Sequence, residues 1–237
     1  IATSAEGSVA PVARPPEAVH TILHTSGTTG LPKGVVYSDR LWLANMAEYD
    51  GLQVGFSYMP LAFITDRHTA YTTLWNGGRL GISTPVAPAG ADAASAEAVE
   101  RQLFGDLLVV KPTVLKGVPR FFEQVYDASK MVHDKSLKIL GGKVRILCCG
   151  AGAISTACAA YFRERCTTAE GEPVAFLELY GATECGNLAC NRRLQPHVEW
   201  KVLPVDGDHG GGTDDVLMGE FVVKTGAMMF SGYFGDE

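Results

Sequence analysis

The chain has 237 residues, of which 46% are hydrophobic and 19% are charged, a composition typical of globular proteins with one large domain or two small ones. Its formal net charge of −6 argues against nucleic-acid partners, which need clustered lysine and arginine. No apolar stretch approaches the ~20 residues that a transmembrane helix needs.

Short apolar strands alternate with amphipathic helices along the chain. Residues 1–18 are rich in Ala, Pro and Ser and predict an irregular linker, and residues 84–96 predict a second irregular stretch. Pro119 is expected to lie in the first turn of a helix. The predicted helices are 39–49, 66–76, 94–104, 120–128 and 155–165. The predicted strands are 19–24, 55–59, 80–82, 113–116, 144–149, 174–180 and 219–224. This alternation predicts an α/β layered domain with parallel pairing.

The stretch at 25–34 is the most informative in the chain. It reads Thr-Ser-Gly-Thr-Thr-Gly-Leu-Pro-Lys-Gly and follows the first predicted strand. Its glycines allow positive φ and a close approach of backbone N–H groups to a polyanion. Ser26, Thr28 and Thr29 add hydroxyl donors, and Lys33 adds positive charge. A strand followed by such a loop predicts a phosphate-binding turn for ATP, with an ordinary surface loop as the alternative.

This loop differs from a Walker loop, in which Gly-Lys is followed by Ser or Thr at the start of a helix. Here Pro32 precedes Lys33 and Gly34 follows it. Because proline biases the residue before it towards extended geometry, the chain should continue as a strand or turn rather than as a helix.

A second polar stretch, Tyr-Gly-Ala-Thr-Glu at 180–184, follows another predicted strand. α/β sheets bind ligands at the carboxyl ends of their strands. Thr183 can donate to a phosphate or acyl oxygen, Tyr180 offers a flat face to a purine, and Glu184 offers a hard oxygen ligand to Mg²⁺. Taken alone, the same pentapeptide could equally be a solvated turn.

A third loop, Gly-Ala-Gly-Ala at 150–153, lies between a predicted strand and a predicted helix. A dinucleotide-binding turn would need glycine where Ser155 stands, and an acidic residue about 20 residues further on. Glu170 and Glu172 are the available acids, and both lie in a loop flanked by Gly and Pro. We therefore favour a tight strand-to-helix turn beside a nucleotide.

The cysteines and histidines show no metal-binding pattern. The six cysteines form no C-x-x-C pair, which favours buried free thiols and a reducing, cytoplasmic compartment. The six histidines lack ligand spacing, so structural or surface roles are expected for them. The chain also lacks a Gly-x-Ser-x-Gly nucleophile elbow.

Together, the stretches 25–34 and 180–184, the strand 219–224 and Gly232-Tyr233 resemble the adenylate-forming superfamily of acyl-CoA synthetases, luciferases and peptide-synthetase adenylation domains. Residues 57–67 and 116–123 are similar to the long-chain fatty acyl-CoA synthetase branch, and the adenylation domain of carboxylic acid reductase is similar in the same places. The resemblance covers 19–237. It implies an α/β fold of layered sheets flanked by helices, as a partial AMP-binding domain from the large N-terminal domain of such an enzyme.

The resemblance implies a two-step reaction. A carboxylate, of a fatty acid in this branch, attacks the α-phosphate of ATP to give an acyl-adenylate and pyrophosphate, and a thiol such as CoA then takes the acyl group. It implies catalytic roles for Lys33, Thr183 and Glu184, with Thr183 at the α-phosphate and Glu184 on Mg²⁺. The implied nucleotide-binding residues are Thr25, Ser26, Gly27, Thr28, Thr29, Gly30, Lys33, Gly150, Ala151, Gly152, Tyr180, Gly181 and Thr183.

Two departures from the family pattern leave alternatives open. The family's Pro-Leu-x-His stretch has Phe63 in the histidine position. The chain stops at Glu237, before the ribose-binding aspartate and the small C-terminal domain with its catalytic lysine. We therefore expect a segment of a longer enzyme, in which peripheral membrane contact stays open. The alternatives are the adenylation domain of a carboxylic acid reductase or synthase, and a catalytically silent nucleotide-binding module.

Overall fold

The computed structural model describes residues 12–25, 31–46, 52–83, 93–133, 135–204 and 219–235. The helices are α1 (Asp39–Ala44), α2 (Ile64–Trp75), α3 (Ala93–Val110), α4 (Pro119–Met131) and α5 (Thr156–Arg165). The strands are β1 (Val19–Thr25), β2 (Lys33–Ser38), β3 (Val54–Ser57), β4 (Arg79–Ile82), β5 (Val114–Gly117), β6 (Ile146–Cys149), β7 (Ala175–Ala182), β8 (Gly186–Cys190), β9 (Arg193–Leu194), β10 (Glu199–Leu203) and β11 (Glu220–Lys224).

The largest sheet has the strand order β5-β6-β7-β8-β9. Strands β5, β6 and β7 are parallel, with Lys116 opposite Cys148 and Cys148 opposite Leu177. The parallel pair β3–β4 lies next to β5, because the N–H of Thr113 donates to the carbonyl of Val54 at 2.9 Å. The predicted α/β fold with parallel pairing is therefore confirmed for this part of the chain.

Four further strand pairs are antiparallel, and the sequence patterns did not predict this. They are β1 with β2, β7 with β8, β8 with β9, and β10 with β11. The β1–β2 pair is a hairpin that packs on α1 and contributes the buried side chains Leu23, Val35 and Tyr37 to a small core of its own. This hairpin carries the predicted phosphate-binding turn.

The main core lies between the five-stranded sheet and helices α4 and α5. Leu115, Leu147 and Phe176 point from the strands into this core, as the two-residue period of a strand requires. Phe122 of α4 and Phe162 of α5 meet Phe176 with ring centroids 5.6 and 5.1 Å away. This packing anchors the parallel strands whose ends carry the second and third polar loops.

Local signals account for two of the helix starts. Pro119 lies in the first turn of α4, where its missing N–H costs nothing, so this prediction is confirmed. Ser155 caps α5, because its hydroxyl accepts a hydrogen bond from the N–H of Cys158 at 3.3 Å.

Other boundaries differ from the prediction. Helix α3 continues to Val110 rather than ending near residue 104, and the buried Leu107 explains this, since it joins the main core. Helix α1 ends at Ala44. Of the two predicted irregular stretches, residues 1–11 and 84–92 lie outside the described residues, and 12–18 contain neither helix nor strand.

The six cysteines are free, and five of them are buried, as predicted. Within the described ranges, no helix is both long enough and apolar enough to cross a membrane.

Candidate active site

The predicted polar stretch at 150–153 follows β6 and the stretch at 180–184 lies at the end of β7, both at one edge of the main sheet, because these parallel strands run in the same direction. The N–H of Gly150, just after β6, donates to the carbonyl of Gly117 at the end of β5 at 3.1 Å. A side chain at Gly152 would begin 3.3 Å from Cγ of Pro119 at the start of α4. Ala151 has a φ of 64°, so the turn at 150–152 is tight and lies directly against its neighbours.

The stretch 180–184 is mostly strand, which corrects the prediction of a loop. Tyr180, Gly181 and Ala182 belong to β7 and pair with β8, and only the residues after them form the turn. A Cβ atom on Gly181 would lie 2.0 Å from the carbonyl oxygen of Gly186. Glycine at 181 therefore allows β8 to fold back tightly, and this fixes the turn that holds Thr183 and Glu184.

The structure places Thr25 and Lys33 opposite each other at the end of the β1–β2 hairpin from which the connecting turn leaves. Lys33 begins β2 rather than a helix, so the prediction from Pro32 is confirmed. The other predicted phosphate-binding residues of this turn, Ser26, Gly27, Thr28, Thr29 and Gly30, lie outside the described residues.

Tyr37 of β2 connects the β1–β2 hairpin to the turn that follows β7. Its hydroxyl donates a hydrogen bond to the carbonyl oxygen of Thr183 at 2.5 Å, and the side chain is 0% exposed. Burial raises the pKa of Tyr37 above its usual value, and Cys185 and Glu184 raise it further. The phenol therefore stays neutral and keeps its donor role.

Residues 232–234 run beside β2 of the hairpin and contact its backbone. The N–H of Val36 donates to the carbonyl of Gly232 at 3.1 Å, and the N–H of Phe234 donates to the carbonyl of Gly34 at 2.7 Å. Between them, Tyr233 pairs with Val35. This pairing lies beside the start of β2, so the Nζ of Lys33 lies 5.1 Å from the centre of the Tyr233 ring.

Glu184 is held from two sides. Its Oε1 accepts a hydrogen bond from the hydroxyl of Tyr233 at 2.9 Å, and its backbone carbonyl accepts from the N–H of Phe230 at 2.9 Å. The half-buried carboxylate has no hydrogen bond to its second oxygen among the described residues. Lys33 and Glu184, a cation and a carboxylate distant in sequence, thus share one tyrosine.

The donor set around Glu184 fits Mg²⁺ and does not fit a metal held by protein alone. No group of three or more His, Cys, Asp or Glu side chains could hold a metal ion in the part of the chain that the structure describes. Mg²⁺ commonly takes one or two carboxylates, with waters and substrate phosphates completing its shell. One carboxylate with an uncommitted oxygen matches that requirement.

A buried pair of basic groups, which the sequence patterns did not reveal, lies on the face of the sheet that α2 covers. The Nζ of Lys116 lies 3.0 Å from Nδ1 of His68, and Nε2 of His68 contacts the carbonyl of Asn45. Burial, followed by the positive charge of Lys116, lowers the pKa of His68 from 6.5 to about 4. Burial also lowers the pKa of Lys116. A lysine in the middle of an apolar strand was the available signal in the sequence.

Asn45 connects this pair to the β7–β8 hairpin. A Cβ atom on Gly186 would lie 2.6 Å from Oδ1 of Asn45, so the end of α1 lies against the start of β8. His68 and Lys116 therefore support the hairpin that carries Glu184, although neither contacts Glu184 itself.

The turn after β3, where the sequence departs from the family pattern, is held by a buried carboxylate. Asp66 is 1% exposed and accepts hydrogen bonds from the N–H groups of Tyr58 and Met59 at 3.2 and 3.3 Å, and from the hydroxyl of Ser57. Phe63, in the position of the family's histidine, is 60% exposed.

Comparison with known proteins finds matches over most of the chain. The family described as "AMP-binding enzyme" matches residues 2–234. The peroxisomal long chain acyl-CoA synthetase 6 of Arabidopsis thaliana is 26% identical over 94% of the chain, and the carboxylic acid reductase of Mycobacterium tuberculosis is 27% identical over 92%. The chain spans 37% of the first protein's length and 20% of the second's.

Solved structures show the same fold. The adenylation domain of a carboxylate reductase from Mycobacterium chelonae is 28% identical, with a TM-score of 0.70 over 93% of this chain and 36% of that one. The adenylation domain of carboxylic acid reductase from Segniliparus rugosus, solved with AMP and a co-purified carboxylic acid, is 22% identical with a TM-score of 0.68.

Proposed function

Because this chain belongs to the AMP-binding enzyme family, we propose that it forms the ATP-binding part of an enzyme that activates a carboxylic acid as an acyl-adenylate. The observation that carries the proposal is the placement of Lys33 and Glu184 on either side of Tyr233. A candidate phosphate-binding cation and a candidate Mg²⁺ ligand, 151 positions apart in sequence, both contact this tyrosine.

In this proposal, Lys33 and the turn at 25–30 bind the β- and γ-phosphates of ATP. The aromatic ring of Tyr233 limits where the Lys33 ammonium can lie. A positioned cation stabilises the charge that develops on the leaving pyrophosphate, and positioning of this kind supplies most of the catalysis of phosphoryl chemistry.

Thr183 is proposed to donate its hydroxyl to the α-phosphate. Its backbone is fixed by Tyr37, and its hydroxyl forms no hydrogen bond with another described residue. The side chain is therefore available to a ligand, while the main chain is already immobilised. An interaction prepared in this way costs little reorganisation during the reaction.

Glu184 is proposed to hold Mg²⁺, which would neutralise phosphate charge when it is bound. The protein's own contribution is to orient the carboxylate through Tyr233 and through the backbone contact with Phe230. The adenine would lie between the turn at 150–152 and Tyr180, whose ring is 59% exposed at the same edge of the sheet.

We further propose that the acid is a fatty acid and that a thiol such as CoA accepts the acyl group. The relatives named long chain acyl-CoA synthetases support this choice. The second candidate is the adenylation step of a carboxylic acid reductase, which the similarity to the Mycobacterium proteins favours. In both cases the first half-reaction, formation of the acyl-adenylate, is the same.

Carboxylate-dependent exchange between ATP and pyrophosphate tests the first half-reaction. It should be run with a panel of short to long fatty acids, on this chain and on a form that spans the full length of its relatives. Exchange that requires a carboxylate would establish adenylation. Formation of an acyl-CoA ester would then favour the acyl-CoA synthetase, and formation of an aldehyde would favour the carboxylic acid reductase. ATP binding without exchange in either form would instead indicate a silent nucleotide-binding module.

A further inference from the structure

A cleft of about 450 Å³ lies between α4 and α5, at the other edge of the sheet from the proposed ATP site. Both helices begin at the edge where the parallel strands end, and both run back towards the start of the strands. After α5, Cys166 accepts a hydrogen bond from the N–H of Val174, directly before β7. The ends of α4 and α5 therefore lie at the edge where the strands begin.

The wall of this cleft is rich in cations. Lys130, Lys135 and Arg165 line it together with His133, and Glu164 is its acidic residue. None of the three cations forms an ion pair with another described residue. Because exposed cations without carboxylate partners leave a positive potential in a concave surface, the cleft attracts anions.

Ser129 provides an independent sign of a ligand. Its side chain is 1% exposed, it lines the cleft, and its Oγ has no hydrogen-bond partner among the described residues. A buried hydroxyl without a partner costs free energy, and native proteins rarely leave one in this state. A ligand oxygen that accepts from Ser129 would remove that cost.

Two aromatic rings complete the wall. Tyr126 and Tyr161 meet edge to face with centroids 5.1 Å apart, and the ammonium of Lys130 lies 5.0 Å from the centre of the Tyr126 ring. The volume is in the range of small-molecule sites and leaves room for an organic group beside an anion.

We propose that this cleft binds a small phosphorylated molecule. The phosphate contacts Arg165 and the two lysines, accepts a hydrogen bond from Ser129, and leaves its organic part against the tyrosines. Arg165 suits a phosphate because its planar guanidinium can donate two parallel hydrogen bonds. This site is separate from the nucleotide site, so it does not depend on the proposed function.

Phenyl phosphate is a suitable probe, and phenol is the matched compound without the phosphate. His133 lines the cleft, so its imidazole proton signals report binding in an NMR titration of the 237-residue chain, with His133→Asn identifying the signals. We expect a saturable shift with phenyl phosphate and none with phenol. An equal response to both compounds, or no saturable shift, would overturn the proposal.

Variants locate the site. The double variant Lys130→Ala/Lys135→Ala and the single variant Arg165→Ala should each weaken phenyl phosphate binding at least about tenfold, the effect of losing a charge-assisted contact. Lys201→Ala removes an exposed cation from β10 and should leave binding unchanged, and so should Lys33→Ala in the proposed ATP site. Loss of binding in Lys33→Ala would show that the probe occupies the nucleotide site and would overturn the proposal.

Ser129→Ala tests the site with a variant that should fold at least as stably as the unchanged chain. It should weaken phenyl phosphate binding while leaving the unfolding midpoint of the free chain equal or higher, because it removes a buried hydroxyl that has no partner. Unchanged binding in this variant, or a lower midpoint in the free chain, would contradict the role given to Ser129.

Discussion

The hydroxyl of Tyr233 donates a hydrogen bond to Oε1 of Glu184 at 2.9 Å, while the ring of the same tyrosine lies 5.1 Å from the ammonium of Lys33. One side chain thus orients the two charges that the proposed reaction needs. Its ring and its hydroxyl can be removed separately, which allows their contributions to be measured.

Tyr233→Phe removes the hydrogen bond and keeps the ring. The rate of pyrophosphate exchange in the full-length form should fall about tenfold, the effect of losing one charge-assisted hydrogen bond. A higher Mg²⁺ concentration should also be needed for half-maximal exchange. Tyr233→Ala should lower exchange further and also raise the KM for ATP, because Lys33 loses its aromatic neighbour. Identical kinetics in the two variants would show that the hydroxyl alone matters.

Lys33→Ala and Glu184→Gln test the two charges directly. Each should lower the exchange rate on the order of 10²-fold or more, if each supports developing phosphate charge. Glutamine retains an oxygen that can accept from Tyr233, so Glu184→Gln removes the charge and keeps the contact. Near-normal exchange in both variants would refute these assignments.

Tyr37→Phe should destabilise the chain by about 1–3 kcal/mol, because the carbonyl of Thr183 loses its donor in a buried setting. Urea unfolding followed by fluorescence measures this change. Tyr71→Phe is the matched control, since Tyr71 is 47% exposed and its hydroxyl has no hydrogen bond with a described residue. A loss of similar size in both variants would mean that the Tyr37 contact adds little.

His68 should make the chain acid-labile. Its folded-state pKa of about 4 lies below the ordinary value of 6.5, so between these values the unfolded chain binds the extra proton. Stability is therefore fully present above pH 6.5 and falls as the pH drops towards 4, with a slope of at most ~1.4 kcal/mol per pH unit from this residue. Unfolding free energies measured across this range provide the test.

Variants identify the source of that slope. His68→Gln should flatten the profile between pH 6.5 and about 4, because the titrating group is gone. Lys116→Met should reduce the loss of unfolding free energy at low pH, because it removes the positive charge that opposes protonation of His68. His197→Gln, which removes an exposed histidine, controls for the loss of one imidazole, and an unchanged slope in His68→Gln would contradict the assignment.

Gly181→Ala should destabilise the chain by about 2 kcal/mol, because its Cβ would lie 2.0 Å from the carbonyl oxygen of Gly186. Gly105→Ala is the matched control. A Cβ there would meet nothing within 4 Å in the middle of α3, and alanine should stabilise the helix by about 0.5–1 kcal/mol. Thermal unfolding of the two variants should therefore shift in opposite directions.

Sequence patterns predicted the elements that depend on local chemistry. Pro119 and Ser155 marked helix starts, and Pro32 correctly excluded a helix after the predicted phosphate-binding turn. The end of α3 was missed because Leu107 is held by the main core rather than by a local signal. Tertiary packing of this kind overrides propensity.

The candidate site was predicted in part. Lys33, Thr183 and Glu184 could be named from their motifs. The contact of Thr183 with Tyr37 could not be predicted, and neither could the contacts of Lys33 and Glu184 with Tyr233. Those contacts depend on which strands pair, and the two-residue period of a strand does not reveal its partner. The extension of β7 through Ala182 depends on the close approach of Gly186, which is likewise a contact between strands.

The pairing of residues 232–234 with β2 also sets the order in which the site can form during synthesis. Tyr37 and Thr183, 146 residues apart in sequence, must both have left the ribosome before their hydrogen bond can form, and Tyr233 follows later still. Long-range contacts of this kind form slowly because their loops must close first. A nascent chain that ends before Phe230 therefore carries Lys33 without the groups that orient it, and we expect it to bind no nucleotide until residues 230–234 have been added.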